Sequence, residues 1–385
     1  MSGADTMGAA PSSSSLLDRF RAFREGLAAR PGFRRWAARF PLTRPFARRR
    51  ARALFDICAG FVYTQVLLAC VRLRVFAILA EAPRTTPRLA PLLGLPDEAT
   101  ERLMAAAASL GLTARRSDGA WTVGPLGAAM IGNDGIAAMV EHHAMLYTDL
   151  ADPVALLRRP RGGNALSGYW AYAGAERPGA VEPGRIRDYT ALMAASQPMV
   201  AEEVLAAYRF GRHRAVLDVG GGNGAFLRAV AAESPAPRLM LFDLPAVAEE
   251  ARARFAAAGL GGRAEVFGGD FTQDALPRGA DLITLVRVLH DHDDDVALGL
   301  LRRIRAALPP GGRLLLAEPM AGTAGAEPMG EAYFGFYLLA MGRGRPRTPE
   351  EIRRMLAAAG FAASRLLPTP TPLLTRVILA EAGAS

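Results

Sequence analysis

The 385-residue sequence contains no lysine, only two cysteines and no charge-free apolar run long enough to span a bilayer. Cys58 and Cys70 lie in one apolar stretch, offer neither a disulfide framework nor a zinc site, and are expected to pack in the core. The longest apolar run, residues 57–71, is shorter than the roughly 20 residues that a bilayer requires, so we predict a buried helix. The N-terminus lacks the basic-then-apolar pattern of a signal peptide. These absences favour a cytoplasmic globular protein without a metal centre.

The positive charge is therefore carried by arginine, and it is concentrated near the N-terminus. Residues 1–52 hold twelve arginines against three acidic residues, so this basic arm accounts for the whole net charge of +9. Aromatic side chains are interleaved with these arginines: Phe20, Phe23, Phe33, Trp36, Phe40 and Phe46. Such a segment is typical of contact with an anionic membrane surface or nucleic acid. A helical arm packed on a partner subunit is the plainer alternative, and the first fifteen residues are predicted to be disordered.

The region 53–157 is predicted to be a mostly helical, winged-helix domain. Its predicted elements are a long apolar helix, two shorter helices and a hairpin, at 53–82, 86–94, 97–111 and 113–123. Winged helices read DNA in many proteins, so this possibility must be weighed. The helix that would enter DNA opens with Asp97, Glu98 and Glu101, which would repel phosphate. We therefore predict a dimer interface here and no nucleic-acid binding.

Beyond a linker rich in glycine, proline and arginine at 158–185, strands and helices alternate over residues 186–385. After a helix at 186–209, the predicted strands are 215–219, 239–244, 264–268, 281–289, 313–319 and 375–382. Alternation of this kind predicts an α/β fold with an open, mostly parallel, doubly wound Rossmann-like sheet. In such a sheet the ligand lies beyond the carboxyl ends of the strands.

The first of these strands ends in LDVGGGNG, where consecutive glycines let a ligand approach the backbone closely. Gly220 and Gly222 also fit the dinucleotide fingerprint, so the glycines alone do not identify the nucleotide. An acidic residue follows or closes each of three successive strands, namely Asp218, Asp243 and Asp270.

These three acids predict the chemistry of the ligand. Asp218 suits an ammonium group held indirectly, and Asp243 suits the two hydroxyls of a ribose. Asp270 suits an adenine amine, with Phe271 packing on the ring. Because the three acids favour a cation and no Walker lysine is present, we predict S-adenosylmethionine in preference to a polyphosphate. Helix capping is the alternative role for Asp243 and Asp270.

Five motifs, in order, resemble those of class I methyltransferases of the plant caffeate and hydroxyindole O-methyltransferase type: LDVGGGNG, LFDLP, FGGDF, RVLHDHDDD and LLLAEP. The resemblance covers 186–385, and 53–157 fits that family's dimerisation domain. It implies a homodimer that methylates a hydroxyl group with S-adenosylmethionine. It also implies roles for single residues, with cofactor contacts at Gly220, Asp243, Asp270, Phe271 and Arg287, a catalytic base at His290, and an orienting carboxylate at Glu318.

An imidazole base suits this reaction, because an alcohol oxygen is a poor nucleophile while it keeps its proton. The sequence departs from the family at two places. His292 stands where the family has tryptophan, and Pro346 stands where the stretch G-[KR]-E-R-T has a second carboxylate. Asp291 and Asp293 are predicted to cap the following helix and not to bind a metal.

Four segments, 53–79, 139–160, 168–174 and 337–352, look more particularly like the demethylspheroidene (hydroxyneurosporene) O-methyltransferases of purple photosynthetic bacteria, which methylate the C-1 tertiary hydroxyl of acyclic carotenoids. This resemblance implies an apolar, hydroxylated carotenoid as the acceptor and gives the basic arm a purpose in peripheral contact with the inner membrane surface. Candidate side chains for an apolar slot are Met193, Met199, Phe334, Phe336, Tyr337, Met341, Trp170 and Tyr172. Two alternatives remain open, a soluble aromatic hydroxyl such as a polyketide phenol, and a non-enzymatic winged-helix regulator.

Overall fold

A computed structural model describes residues 16–158, 163–169 and 183–383. The chain divides into two compact units, Met1–Ala69 and Cys70–Ser385. The disorder predicted for the first fifteen residues, and the roles suggested for Trp170 and Tyr172, lie outside the described residues.

The first unit consists of helices with many exposed apolar side chains. Its helices are Leu16–Ala29, Pro31–Arg39 and most of Arg44–Arg72, which extends to the second unit. Its large exposed apolar residues are Leu16, Leu17, Phe20, Phe23, Trp36, Phe40, Leu42, Phe46, Leu54, Phe55, Ile57, Phe61 and Val62. The rings of Trp36 and Phe40 stack with their centroids 5.0 Å apart.

The helix Arg44–Arg72 differs from the prediction of a buried helix over 57–71. Ile57 is 79% exposed and Cys58 is exposed as well, whereas Cys70 is buried and its thiol pKa is raised to about 12 by burial. An apolar run predicts that its side chains are buried, but the three helices of this unit do not bury those of Arg44–Arg72. By length and composition alone this helix could cross a membrane, with a mean hydropathy of 1.8 and 11% burial in its most apolar window. Core helices of soluble proteins pass the same test.

The predicted order of helix, helix and hairpin is confirmed in the second unit. The elements are the helices Val75–Glu81, Thr86–Leu93 and Asp97–Ser109 and the strands β1 (Thr113–Arg115) and β2 (Trp121–Val123). The single helix predicted over 53–82 is interrupted, because Arg74 adopts a left-handed conformation with φ of 55°. The Trp121 indole donates a hydrogen bond of 3.0 Å to the Thr86 hydroxyl, which ties the hairpin to the helices.

The rest of the second unit contains the large sheet and the helices around it. Its strands are β3 (Ala215–Val219), β4 (Arg238–Asp243), β5 (Ala264–Gly268), β6 (Leu282–Val286), β7 (Arg313–Glu318), β8 (Phe361–Leu367) and β9 (Arg376–Ala382). Its helices are Pro125–Ala128, Asp134–Asp149, Pro153–Arg158, Ala165–Tyr169, Pro183–Ala207, Ala225–Glu233, Pro245–Ala257, Asp294–Ala307, Gly335–Met341 and Pro349–Ala358. Short 3₁₀ turns at Phe210–Arg212 and Leu289–Asp291 and a π-helix at Pro328–Phe334 complete the described elements.

The strand order in the large sheet is β5-β4-β3-β6-β7-β9-β8. The five strands from β5 to β7 are parallel, and β9 and β8 are antiparallel additions at one edge. The predicted open, mostly parallel, Rossmann-like sheet is therefore confirmed. Strand β8 was not predicted, because only Phe361 and Leu367 at its two ends are buried and an edge strand of this kind has no apolar run.

The core lies on both faces of this sheet. Side chains that alternate along β3 belong to different clusters, with Leu217 and Val219 in one and Val216 in the other. The helix Asp294–Ala307 packs in the first cluster and Ala225–Glu233 in the second. Because both faces are covered, we expect a ligand to lie at the carboxyl ends of the parallel strands.

Candidate active site

The glycine turn after β3 disfavours side chains for two reasons, its left-handed backbone angles and the close packing of neighbouring atoms. Gly220 and Gly222 have φ of 69° and 57°, values that favour glycine. A Cβ at Gly220 would lie 2.8 Å from a methyl group of Val288, and one at Gly221 would lie 2.8 Å from an Asp218 oxygen. A Cβ at Gly222 would meet no atom within 4 Å. The turn is therefore packed on one side and open at Gly222.

Asp218 is buried under this turn. Its Oδ1 accepts a hydrogen bond of 2.7 Å from the Thr284 hydroxyl, and only 1% of the residue is exposed. Burial raises the pKa of Asp218 to about 7, the Thr284 hydrogen bond opposes this shift, and the charge of Asp243 adds to it. A carboxyl with this pKa is ready to ionise when a cation binds nearby.

Asp243, at the end of β4, lies against the glycine turn. Its two carboxylate oxygens accept hydrogen bonds from the amides of Gly222, at 2.8 Å, and Leu244, at 2.7 Å. Burial raises its pKa to about 6, although both amides lower it. Each oxygen keeps a further lone pair, so the carboxylate is fixed in direction and can still accept from ligand hydroxyls.

Asp270 and Phe271 follow β5, as predicted, but the Asp270 carboxylate binds its own turn. Its Oδ1 accepts hydrogen bonds from the Thr272 amide at 2.8 Å and the Thr272 hydroxyl at 2.6 Å. These bonds close a local turn, and because no helix of the described chain begins there, the helix capping considered as an alternative is wrong for Asp270. Contact with adenine stays a prediction. Phe271 packs partly against the core, with its ring edge-on to His292 at 5.3 Å.

Arg287 follows the end of β6 in a left-handed conformation, with φ of 59°. Its backbone amide donates to the Ala317 carbonyl at 2.8 Å, which keeps it in register with β7. Its guanidinium donates to the Ser196 hydroxyl at 2.8 Å and lies 2.9 Å from the Met193 sulfur. The side chain therefore joins the strand ends to the helix Pro183–Ala207.

His290 lies in the 3₁₀ turn Leu289–Asp291, because β6 ends at Val286, earlier than predicted. Its imidazole Nδ1 is 3.2 Å from Glu318 Oε2, and its backbone amide donates to the same oxygen at 3.1 Å. Glu318 is fully buried at the end of β7. With Nδ1–H directed at Glu318, Nε2 is the nitrogen that can accept a proton.

Asp291 also faces this imidazole, and sequence reasoning missed it. Its Oδ1 is 3.2 Å from His290 Nε2, and the residue is buried. The prediction that Asp291 caps the next helix is wrong, because the 3₁₀ turn directs its side chain back toward the imidazole. Asp293 occupies the N-cap position, but its side chain accepts from the Gly344 amide at 3.0 Å. The adjacent pair His-Asp was the available signal.

Two carboxylates therefore control the charge of His290. Burial lowers its pKa, but Asp291 and Glu318 raise it by more and Arg287 opposes them, so the net shift is upward. Burial raises the pKa of Asp291 to about 6, against the nearby charges of His290 and Arg287. An imidazole placed in this way accepts a proton readily, because its cationic form is stabilised on both sides.

A group of aromatic rings leads away from the base, and we call Tyr333, Phe334 and Tyr337 the aromatic wall. The ring of Phe334 is edge-on to His290 at 5.9 Å, and Tyr333 lies 5.0 Å from Phe334. The π-helix Pro328–Phe334 supplies the first two rings, and such helices are frequent at functional sites.

The polar atoms of the aromatic wall are bonded to a histidine pair. The Tyr333 hydroxyl is 2.7 Å from His143 Nε2, and the Tyr337 hydroxyl is 2.8 Å from His142 Nε2. Burial lowers the pKa of His142 to about 4 and raises the pKa of Tyr333 to about 12. His142 and Tyr333 are therefore neutral at neutral pH, and burial also lowers the pKa of His143.

The side chains suggested for an apolar slot differ in their exposure. Tyr337 and Met341 are core residues that pack with Leu338. Met193, Met199 and Phe336 are half-buried. Within the described ranges, no three His, Cys, Asp or Glu side chains are arranged to hold a metal ion.

Comparisons with known proteins match almost the whole chain. Residues 147–362 match the O-methyltransferase domain family, and residues 55–132 match the O-methyltransferase dimerisation domain family. The chain is 44% identical over 355 residues to demethylspheroidene O-methyltransferase of Cereibacter sphaeroides, covering 92% of this chain and 93% of that protein. It is 46% identical over 346 residues to the protein of the same name from Rhodobacter capsulatus, covering 90% and 86%.

Among solved structures, human N-acetylserotonin methyltransferase in complex with S-adenosylmethionine is similar, with a TM-score of 0.71 and 26% identity. That match covers 86% of this chain and 97% of the human one.

Proposed function

Because the chain belongs to the O-methyltransferase family, we propose that it transfers the methyl group of S-adenosylmethionine to the C-1 tertiary hydroxyl of an acyclic carotenoid. We propose an acceptor of the demethylspheroidene type because two relatives named demethylspheroidene O-methyltransferase are 44% and 46% identical to this chain. The observation in the site that supports an apolar acceptor is the aromatic wall, whose hydroxyls are bonded to neutral histidines.

The residues of the cofactor side fit an adenosyl group. The left-handed glycine turn is open at Gly222, where an added Cβ would touch nothing, so a ligand can lie against the backbone. Asp243 would accept from the ribose hydroxyls, and Asp218 would support the ammonium group indirectly. Asp270, Phe271 and Arg287 complete the proposed contacts. S-adenosylmethionine supplies an electrophilic methyl group on a sulfonium, for transfer in line to a nucleophile.

His290 is the proposed general base. Its Nε2 takes the proton of the acceptor hydroxyl, so that the oxygen can act as the nucleophile. Glu318, at 3.2 Å from Nδ1, fixes the direction of the ring and stabilises the imidazolium, and Asp291 stabilises it from the other side. A positioned base contributes roughly 10²–10⁴-fold to a rate.

The aromatic wall suits a polyene. A tertiary alcohol on a long hydrocarbon brings one polar group to the base and only apolar surface to the rest of its site. Unpaired hydroxyls along that surface would each lose hydrogen bonds to water on binding. The pairs Tyr333–His143 and Tyr337–His142 already satisfy those groups, so the half-buried rings of Tyr333 and Phe334 can contact the acceptor without leaving an unpaired hydroxyl.

The predicted dimerisation domain, 53–157, is proposed to serve assembly, and the basic arm, 1–52, is proposed to serve location. The family match over 55–132 supports a homodimer, and the exposed residues Leu54, Phe55, Ile57, Phe61 and Val62 lie in the helix that enters this range. The basic arm, with exposed aromatic rings among its arginines, would contact an anionic membrane surface peripherally from the cytoplasmic side. The proposed domains are 1–52, 53–157, 158–185 and 186–385.

The acceptor is tested with the purified enzyme and methyl-labelled S-adenosylmethionine. A 1-hydroxylated acyclic carotenoid in detergent micelles and a panel of soluble phenols serve as alternative acceptors. Label in the carotenoid, with none in an analogue that lacks the hydroxyl, is the expected result. Labelling of phenols alone would replace the carotenoid by an aromatic hydroxyl. Labelling of no acceptor, with binding to duplex DNA, would favour the regulator.

Membrane contact is tested by flotation with vesicles that contain phosphatidylglycerol, compared with neutral vesicles. The full chain is expected to float with the anionic vesicles at low salt and to dissociate as salt increases. The chain without residues 1–50 is expected to stay unbound and to keep its turnover on acceptor in micelles. Equal flotation of both chains would contradict a role for the arm.

A further inference from the structure

The turn that carries the proposed base is supported from behind by a segment that is distant in the sequence. We call residues 289–292 the base turn and 343–348 the support segment. The Arg345 amide donates a hydrogen bond of 3.0 Å to the His290 carbonyl. Gly344 packs so closely that an added Cβ would lie 2.1 Å from the same carbonyl oxygen. The two segments therefore meet without room for another side chain.

Arg347 forms the central contact between the two segments. Its guanidinium is fully buried and donates to the Leu289 carbonyl at 2.8 Å and the His292 carbonyl at 2.7 Å. The same group donates to Asp294 Oδ1 from Nη2 and Nε, at 2.7 and 2.9 Å. A buried guanidinium is tolerated only when it is paired and hydrogen-bonded, and here its three acceptors all lie in or beside the base turn.

The direction of the His290 imidazole depends on the backbone of this turn. Glu318 Oε2 accepts hydrogen bonds from both the backbone amide and Nδ1–H of His290. A shift of the turn therefore moves the ring relative to the carboxylate. From the other side the carbonyls of residues 289, 290 and 292 are held by the support segment. The base is therefore fixed between β7 and the support segment.

Taking the proposed function as given, we propose that Arg347 is a positioning residue that holds the base turn by its carbonyls and thereby aims His290. Pro346 occupies the place where the resemblance leads one to expect a carboxylate beside the base. The arginine that follows, Arg347, is also present in the family's stretch, and here it acts on the backbone behind the imidazole.

Loosening the turn should change the titration of the base. The charged groups that face His290 are Asp291 and Glu318, which raise its pKa, and Arg287, which lowers it. A ring that moves away from the two carboxylates loses the interaction that favours its cation. The acid limb of the pH–rate profile should then move to lower pH.

The experiment compares Arg347→Lys with Arg263→Lys in the full-length enzyme. Arg263 is a matched control, because its guanidinium also binds backbone carbonyls, those of Pro237, Ala231 and Ser234, at a place outside the site. For each variant, kcat, KM for the acceptor, S-adenosylmethionine affinity by calorimetry, Tm and the pH–rate profile are measured.

Arg347→Lys is expected to lower kcat roughly 10- to 100-fold, the effect of a misplacement of about 1 Å, and to shift the acid limb to lower pH. KM and cofactor affinity should change less than about twofold, since the groups that hold substrate are untouched. Arg263→Lys is expected to lower Tm alone. If both variants lose only stability, Arg347 is structural and the proposal is wrong.

A second variant keeps the test open if Arg347→Lys does not fold. Asp294→Ala removes the carboxylate that anchors the guanidinium but leaves the carbonyl contacts, so the same shift is expected with smaller amplitude. An unchanged acid limb in this variant would overturn the proposal. Absence of methyl transfer by the wild-type enzyme would instead contradict the proposed function, so the two failures are distinguishable.

Discussion

The cofactor side and the base side of the site are built in different ways. The cofactor side consists of residues at the carboxyl ends of β3, β4, β5 and β6 and in the turns that follow them, so each of its residues lies in or close to a strand in the sequence. The base side combines the turn after β6, a carboxylate on β7, the π-helix and the support segment, which come from residues 289 to 348. The first arrangement requires only the carboxyl ends of paired strands. The second also requires several contacts between residues that are distant in the sequence. Substitutions on the two sides should therefore separate binding from turnover.

The largest separation is expected from His290→Ala. Loss of the base should cut kcat roughly 10²–10⁴-fold, while calorimetry should show unchanged affinity for S-adenosylmethionine. His213→Ala is the control. This buried histidine pairs with Asp281 at 3.0 Å, and the two residues lie at the amino ends of β3 and β6, away from the proposed site. It should lower Tm without affecting turnover. Near-normal turnover in His290→Ala would show that no base is needed there.

The converse separation is expected from Asp243→Ala. Its carboxylate should contribute about 1.5–3 kcal/mol as a charged acceptor, so cofactor affinity measured by calorimetry should fall roughly 10- to 100-fold. Asp281→Ala is the matched control. Asp281 also accepts from two backbone amides, those of Arg214 and Ala215, but at the amino ends of the strands. That control should leave affinity unchanged. Equal affinity in wild type and Asp243→Ala would remove Asp243 from the ribose.

A smaller effect, confined to the base side, is expected from Asp291→Asn. The amide keeps the shape but removes a charge that raises the pKa of His290. The acid limb of the kcat/KM profile should move to lower pH, and turnover should fall several-fold, because the imidazolium loses a stabilising charge. Steady-state kinetics from pH 5 to about 9 measures both. An unmoved acid limb would mean that Asp291 does not act on the base.

The smallest effect concerns the cofactor side. The pKa values of Asp218 and Asp243 are raised to about 7 and about 6, above about 3.9 in an unfolded chain. The ligand-free fold therefore binds more protons than the unfolded chain, and its stability falls as pH rises from about 4 to about 7.

A cationic ligand prefers the ionised carboxylates. Affinity for S-adenosylmethionine should therefore fall roughly three- to tenfold as pH drops from about 8 to about 6. Calorimetry across this range measures the trend, and Asp218→Asn should flatten its upper part. A flat profile in the wild type would contradict the role of Asp218.

The same contrast explains what the sequence could predict. The strands, the glycine turn and Asp243 follow from local patterns, because a strand end and the residues after it stay together in any parallel sheet. Asp291 was adjacent to a predicted base, yet its direction depends on where β6 ends and on burial. The contacts of Arg347 join positions more than fifty residues apart, and no period or turn signal carries that information. The exposure of the helix Arg44–Arg72 could not be predicted either, because an apolar run indicates burial but does not identify the surface that would bury it.

Arg287 has a consequence for attempts to engineer this enzyme. A non-glycine residue held with φ of 59° carries backbone strain on the order of 1 kcal/mol or more. A screen for thermostable variants would therefore favour glycine or asparagine at position 287. That gain in heat resistance would remove the guanidinium between the strand ends and Ser196. Heat resistance and catalytic competence should be antagonistic at this position, so libraries for a hardier catalyst should leave it unchanged.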